Sequence, residues 1–129
     1  MTAEELLRRY ADGERNFAGI DLSGVSLTKA ELSGINPCRA NLSRADLSRS
    51  NLSGANLSHT NASGWGSLTG ANLSGANLKK ANLTCIEMMG VNLENANTEG
   101  SRLGTLENAF IRNTVNSEGI LIEGPMTLE

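Results

Sequence analysis

Leucine recurs at every fifth residue over two stretches of this chain, from Ala40 to Ser58 and again from Ala71 to Thr84. The first reads ANLSR-ADLSR-SNLSG-ANLS and the second ANLSG-ANLKK-ANLT. Two residues before each Leu stands Ala or Ser, and Asn or Asp lies between. A period of five is neither the 3.6 of a helix nor the 2 of a strand, so it marks a short tandem repeat of the kind that stacks into a solenoid. With the central residue of each repeat called i, the centres run Phe17, Leu22, Leu27, Leu32, Pro37, Leu42, Leu47, Leu52, Leu57 and Ala62. The frame slips by one residue near Trp65 and resumes at Leu68, Leu73, Leu78, Leu83, Met88, Leu93, Thr98 and Leu103. Positions i-2 are small or β-branched, as at Ile20, Val25, Ala30 and Ala40. The spacing therefore predicts that i and i-2 point inward and the other three positions face water. A chain that turns a corner at each repeat closes a square coil after four repeats, and residues twenty apart then stack at about 4.8 Å. The expected fold is an all-β solenoid, a quadrilateral β-helix of about five coils and roughly 24 Å in length.

The flanks read differently. Thr2 and Glu5 have capping-box spacing, and Leu6, Leu7 and Tyr10 then fall on one face of a short helix that Gly13 would stop. So short a helix is not stable alone, and the open first coil is the surface it would cap. Residues 1–14 are thus an expected N-terminal helical cap, 15–113 the β-helix with its slip near 63–67, and 114–129 a C-terminal cap or tail. Ala109-Phe110-Ile111 looks like one more repeat, Ile120-Leu121-Ile122 like an added strand or cap, and Gly124-Pro125 like the end of order.

The outward positions carry three further expectations. Asn16, Asn36, Asn56, Asn77 and Asn97 fall on one face, and the i-1 Asn residues are expected to serve as a ladder from coil to coil and as corner partners. Ser-Gly corners suit type II turns, whose third residue has φ > 0. Corners that end in Lys29, Arg39, Arg44, Arg49, His59, Lys80 or Cys85 would strain there, so type I turns are predicted at many of them. Pro37 removes one coil-to-coil donor. A bulge is expected at 63–67, with Trp65 at least partly exposed.

Composition narrows the class. Of 129 residues, 39% are apolar but only 3% aromatic, which suits a thin Leu/Ala core repeated along an axis. No apolar run is long enough to span a membrane and MTAEELLRRY is no secretory signal, so the cytoplasm is the expected compartment. The net charge of -3 divides unevenly, with -2 over residues 1–28, +4 over 29–80 and -5 over 81–129.

The repeat A(N/D)Lxx resembles that of the pentapeptide repeat proteins over about residues 15–113, and EELLRRYADGERNF resembles the helical opening of cyanobacterial members. That resemblance implies a right-handed quadrilateral β-helix with twenty residues per coil. It also brings in relatives that resemble B-DNA in shape and charge and bind DNA gyrase, although those are longer, more acidic and dimerise end to end.

Little in the chain points to catalysis. Its single His59 has Arg39 and Lys80 as expected neighbours, which oppose proton acceptance and metal binding. Cys38 and Cys85 lie two coils apart, roughly 10 Å and beyond disulfide reach, and read as free thiols. No phosphate-cradling motif is present and a convex rod offers no cleft, so neither enzyme activity, metal, cofactor nor small-molecule substrate is expected. The reading that remains is a monomeric protein-binding or scaffolding module. Its candidate partner-binding patch is Arg39, Arg44, Arg49, His59, Lys79 and Lys80, with Trp65 as a possible anchor and an acidic protein as the implied partner. A gyrase-binding DNA mimic, or weak nucleic-acid binding through the basic residues, is the alternative. Nucleic acid is disfavoured by the scarcity of aromatics for base stacking.

Overall fold

The fold is built from one five-residue hydrogen-bonding unit, seen clearly in the repeat centred on Leu52. The computed structural model describes residues 1–62 and 64–129. The Leu52 amide donates to the Asn72 carbonyl of the next coil (2.8 Å), and the Gly54 amide to Ser74 O (2.8 Å). The Asn56 amide reaches back to Ile35 O of the previous coil (2.9 Å), and the Ala55 amide closes the turn on Leu52 O (3.0 Å). One amide remains, that of Ser53, and it donates to Asn51 Oδ1 (3.1 Å). All five N–H groups of the repeat are thus satisfied, as buried backbone requires.

This accounting assigns the Asn/Asp at i-1 its role. The expected coil-to-coil Asn ladder is replaced by bonds inside each turn: the side-chain oxygen of i-1 accepts the amide of i+1 at Asn16, Asn36, Asn41, Asp46, Asn56, Asn77 and Asn97. Short polar side chains that bond their own backbone two residues on are what such corners need. The backbone still stacks as expected, Asn16 beside Asn36 and Asn56 beside Asn77 beside Asn97.

The inward frame is as predicted. Leu22, Leu32, Leu42, Leu52, Leu73, Leu83 and Leu93 are buried at centres, and Ala40, Ala45, Ala55, Ala71 and Ala81 at i-2. Pro37 is buried, and its coil is held on either side by Arg39 N to Ser58 O (3.0 Å) and Asn56 N to Ile35 O (2.9 Å).

Two irregularities interrupt the parallel stack. Asn41 pairs with Asn61, twenty residues on, but Asp46 pairs with Ser67, twenty-one on. The extra residue falls in the predicted slip, of which Ser63 lies outside the described residues. Strand β1 (Gly66–Ser67) then pairs with β3 (Ile86–Glu87), and β2 (Asn82–Leu83) with β4 (Arg102–Leu103). After Leu103 the register shortens by two, Asn92 meeting Phe110 and Asn97 meeting Val115. Glycines flank Ile86 at both places. A Cβ on Gly66 would lie 2.8 Å from Ile86 Cδ1 and 2.6 Å from Ala45 O, and one on Gly104 would overlap Ile86 O.

The ends close by different means. Helix α1 (Ala3–Ala11) is capped by Thr2, whose hydroxyl accepts the Glu5 amide (3.1 Å). It buries Leu6 completely, while Leu7, predicted on the same inward face, is 39% exposed. Tyr10 hydroxyl donates to Ser33 O (2.6 Å), and the Arg9 guanidinium forks onto Glu14 beneath the Phe17 ring. At the other end the residues after Gly124-Pro125, expected to be a tail, are paired instead. Strand β8 (Met126–Thr127) runs antiparallel to β5 (Phe110–Ile111), and β7 (Leu121–Ile122) antiparallel to β6 (Thr114–Val115). Turning back on itself gives the last coil partners for amides that no further repeat would supply, as in Leu128 N to Ala109 O (2.9 Å).

Candidate interaction surface

Each corner is set by the amide of residue i+2, which must donate along the stack to the next coil. That requirement overrides the local preference of the side chain. Lys29, Arg39, Arg44, Arg49, His59 and Lys80 all have φ between 57 and 62. The predicted type I turns are therefore absent at these six corners. Cys85 alone of the seven keeps φ outside the left-handed region. The coil-to-coil bonds explain the outcome: His59 N to Lys79 O (3.0 Å), Lys80 N to Glu99 O (2.9 Å) and Arg49 N to Thr69 O (2.8 Å) all need the left-handed corner. A left-handed non-glycine residue costs about 1–2 kcal/mol. Glycine in the following coil gives these side chains room, with Arg44 Cγ against Gly64, Arg49 Cγ against Gly70 and Lys80 Cγ against Gly100.

The four corners differ in charge. One edge carries Gly19, Arg39, His59, Lys80 and Gly100 in stacking order, fixed by the Asn16, Asn36, Asn56, Asn77 and Asn97 register. Arg39, His59 and Lys80 are exposed there, and half-buried Lys79 beside them pairs with Glu99 (3.6 Å). Arg44 lies on the next corner of the same coil as Arg39, and Arg49 on the one after, below Lys29. The fourth edge is Gly34, Gly54, Gly75, Asn95 and Asn113, and beside the last two Glu94 and Arg112 pair with each other (3.7 Å). So the fold gathers Arg39, His59, Lys79 and Lys80 on one edge and distributes Arg44 and Arg49 to two others.

Trp65 follows Gly64, which stacks on Arg44, and lies off the edge of Arg39, His59 and Lys80. It is 77% exposed at the slip and borders a groove of about 430 Å³ with Ile86, Met88 and Met89. Glu87 and Glu107 line the same groove, so its rim is acidic where the edge at Arg39 is basic. The sequence reading misses these neighbours. The signal for one is Met88-Met89, where the first Met is a centre and the second must then face out. Both cysteines are free and half-buried. Among the described residues no three His, Cys, Asp or Glu side chains cluster as a metal site, and no helix is long and apolar enough to cross a membrane.

A chain of short parallel bridges repeating every twenty residues, with an Asx-type corner every five, defines a β-solenoid of pentapeptide units. The sequence model for pentapeptide repeats matches residues 38–64 and 66–95 in eight copies, and its two blocks part at Trp65. Among solved structures, the pentapeptide repeat protein alr5209 from Nostoc PCC 7120 is 33% identical over 74% of this chain and 78% of its own, with a TM-score of 0.70. HetL, a Nostoc pentapeptide repeat protein involved in regulating heterocyst differentiation, is 31% identical over 88% of this chain and 53% of its own, at a TM-score of 0.48. Rfr23 from Cyanothece 51142 is 33% identical over 77% and 60%, also at 0.48. No curated protein matches the sequence. This chain belongs to the pentapeptide repeat proteins, whose fold is the right-handed quadrilateral β-helix.

Proposed function

We propose that this protein is a non-enzymatic, cytoplasmic binding module, monomeric and of about five coils, with a repeat body of residues 15–113 between caps at 1–14 and 114–129. It takes an acidic protein partner along the edge of Arg39, His59 and Lys80. The observation that supports this reading is the strain accepted at the basic corners. Asn tolerates the left-handed region best after Gly, and this chain uses it at Asn95, Asn108 and Asn113. Cations stand where Asn or Gly would cost less, and on one edge they are stacked. Arg39 and Lys80, two coils and about 10 Å apart, repel by only about 0.4 kcal/mol in water. The folded rod tolerates that repulsion, and an anionic partner relieves it.

Affinity capture from a cyanobacterial lysate tests the reading. Wild type is compared with an Arg39→Glu/Lys80→Glu variant and with an Arg44→Glu/Arg49→Glu variant altered on the other corners. A protein retained by wild type and the second variant and lost by the first is the expected result. Equal retention by all three removes this edge. Purified protein added to a DNA gyrase supercoiling reaction is expected to leave it unchanged. Inhibition at stoichiometric amounts would replace this reading with that of a DNA mimic.

A further inference from the structure

The shortened last coil leaves a cavity of about 340 Å³ between Leu93, Leu103, Leu106, Ile111, Ile122 and Leu128. The pocket is partly open to solvent, and its volume falls in the range of ligand pockets. The convex rod expected to lack a cleft therefore has one at its C-terminal end. Among the described residues no charged side chain lines it. Two of its polar side chains are already committed, Thr98 hydroxyl to Val115 O (2.8 Å) and Thr114 hydroxyl to Leu93 O (2.6 Å). Asn116 Oδ1 accepts the amides of Glu118 and Ile120.

Ser101 is the buried exception, Ser117 lying exposed at the rim. It lines the cavity, is only 8% exposed, and its hydroxyl has no partner. Hydroxyls at the equivalent i-2 position elsewhere turn back three residues, Ser50 to Leu47 O (2.6 Å) and Thr60 to Leu57 O (2.8 Å). A buried hydroxyl with no partner is costly, and a water held there would need two or more polar partners.

From these features we infer that the C-terminal cavity binds a small, uncharged, mainly aliphatic molecule with one hydrogen-bonding group, which Ser101 receives. The aliphatic lining sets the body of the ligand, the one buried unpartnered hydroxyl its polar group, and the uncharged wall its neutrality. The site is remote from the basic edge and does not depend on its role.

Titration of the full chain with n-octanol, followed by amide NMR shifts, tests the inference, with n-octanoate as the charged counterpart. Saturable n-octanol binding is expected, with shifts centred on Leu93, Ser101 and Leu106 and no binding of n-octanoate at neutral pH. Ser101→Ala should weaken n-octanol by about five- to tenfold, the value of one hydrogen bond, without lowering the melting temperature. Leu106→Trp, which fills the space, should abolish binding. No saturable binding, shifts centred on exposed Ile120 and Leu121, equal binding of n-octanoate, or unchanged affinity in either variant would each overturn it. Should Leu106→Trp fail to fold, the wild-type shift map and Ser101→Ala decide the question.

Discussion

The middle coils and the C-terminal closure are made from the same kinds of residue but solve different problems. Around Leu52, every amide partner is dictated by the repeat, and the core is a closed column of Leu and Ala. Beyond Leu103 the register is two residues short, the closing strands run antiparallel, and Ile120 and Leu121 are 53% exposed. The same break that ends the column opens the cavity. Regular repetition gives each side chain one fixed place. Departure from it leaves room, and room is what a ligand needs.

The contrast can be broken most sharply in the core. Leu52→Ala should cost about 2–5 kcal/mol, because a rigid column cannot collapse onto the void. Denaturant unfolding measures it, and a loss under about 1 kcal/mol would mean that the middle coils pack as loosely as the end. Next in size is Gly104→Ala, at about 1–3 kcal/mol. Its new methyl meets the Ile86 carbonyl, which cannot rotate away as a side chain would. The same unfolding experiment should show a much larger loss for this variant than for an alanine on an open surface. Leu106→Ala follows at about 1 kcal/mol, since Leu106 is half-buried and already borders empty space. If Leu106→Ala equals Leu52→Ala, the end is as tightly packed as the middle.

Arg49→Gly should change stability by less than about 1 kcal/mol in either direction, because relief of the left-handed strain is offset by greater freedom in the unfolded chain. Arg49→Val should be clearly worse by melting temperature, since a β-branched residue resists that conformation. The smallest effect is at the N-terminal cap. The hydrogen bond from Arg9 holds the Glu14 carboxyl below its ordinary value of 4.5. The folded state therefore releases that proton more readily than the unfolded one. The resulting stabilisation is complete above the ordinary value and is lost as pH falls through the depressed one. Thermal melts of wild type and Glu14→Gln should differ slightly at neutral pH and converge as pH falls through the depressed value. A gap that persists in acid would mean that the carboxylate charge is not what fastens the cap.

The repeating columns were legible because each buried centre is a local fact repeated many times. Leu at i, a small residue at i-2 and Thr2 with Glu5 each declare their place without knowledge of distant residues. The Asn at i-1 was legible as ladder or corner partner, but which of the two it serves was not. A ladder between coils and a bond within a turn both need Asn, and only the path of the Ser53 amide distinguishes them. The basic patch was legible as charge. Its division among three corners follows from the five-residue step, so Arg39, Arg44 and Arg49, close in sequence, stand on different edges.

What sequence alone determined is the period, and with it the inward frame, the corner spacing and the place of the slip, since a five-residue repeat has one economical way to bury its leucines. Tertiary structure decided whatever depends on the neighbouring coil. The corner amide of one coil must reach the next, so Arg39 and Lys80 take a conformation their own chemistry disfavours. The last coil has no successor, so its chain turns back to satisfy the exposed edge, and Ser101 is left facing the space that this return does not fill. Those outcomes rest on contacts between residues about twenty apart, where the free energy of pairing exceeds the local preference of any single residue.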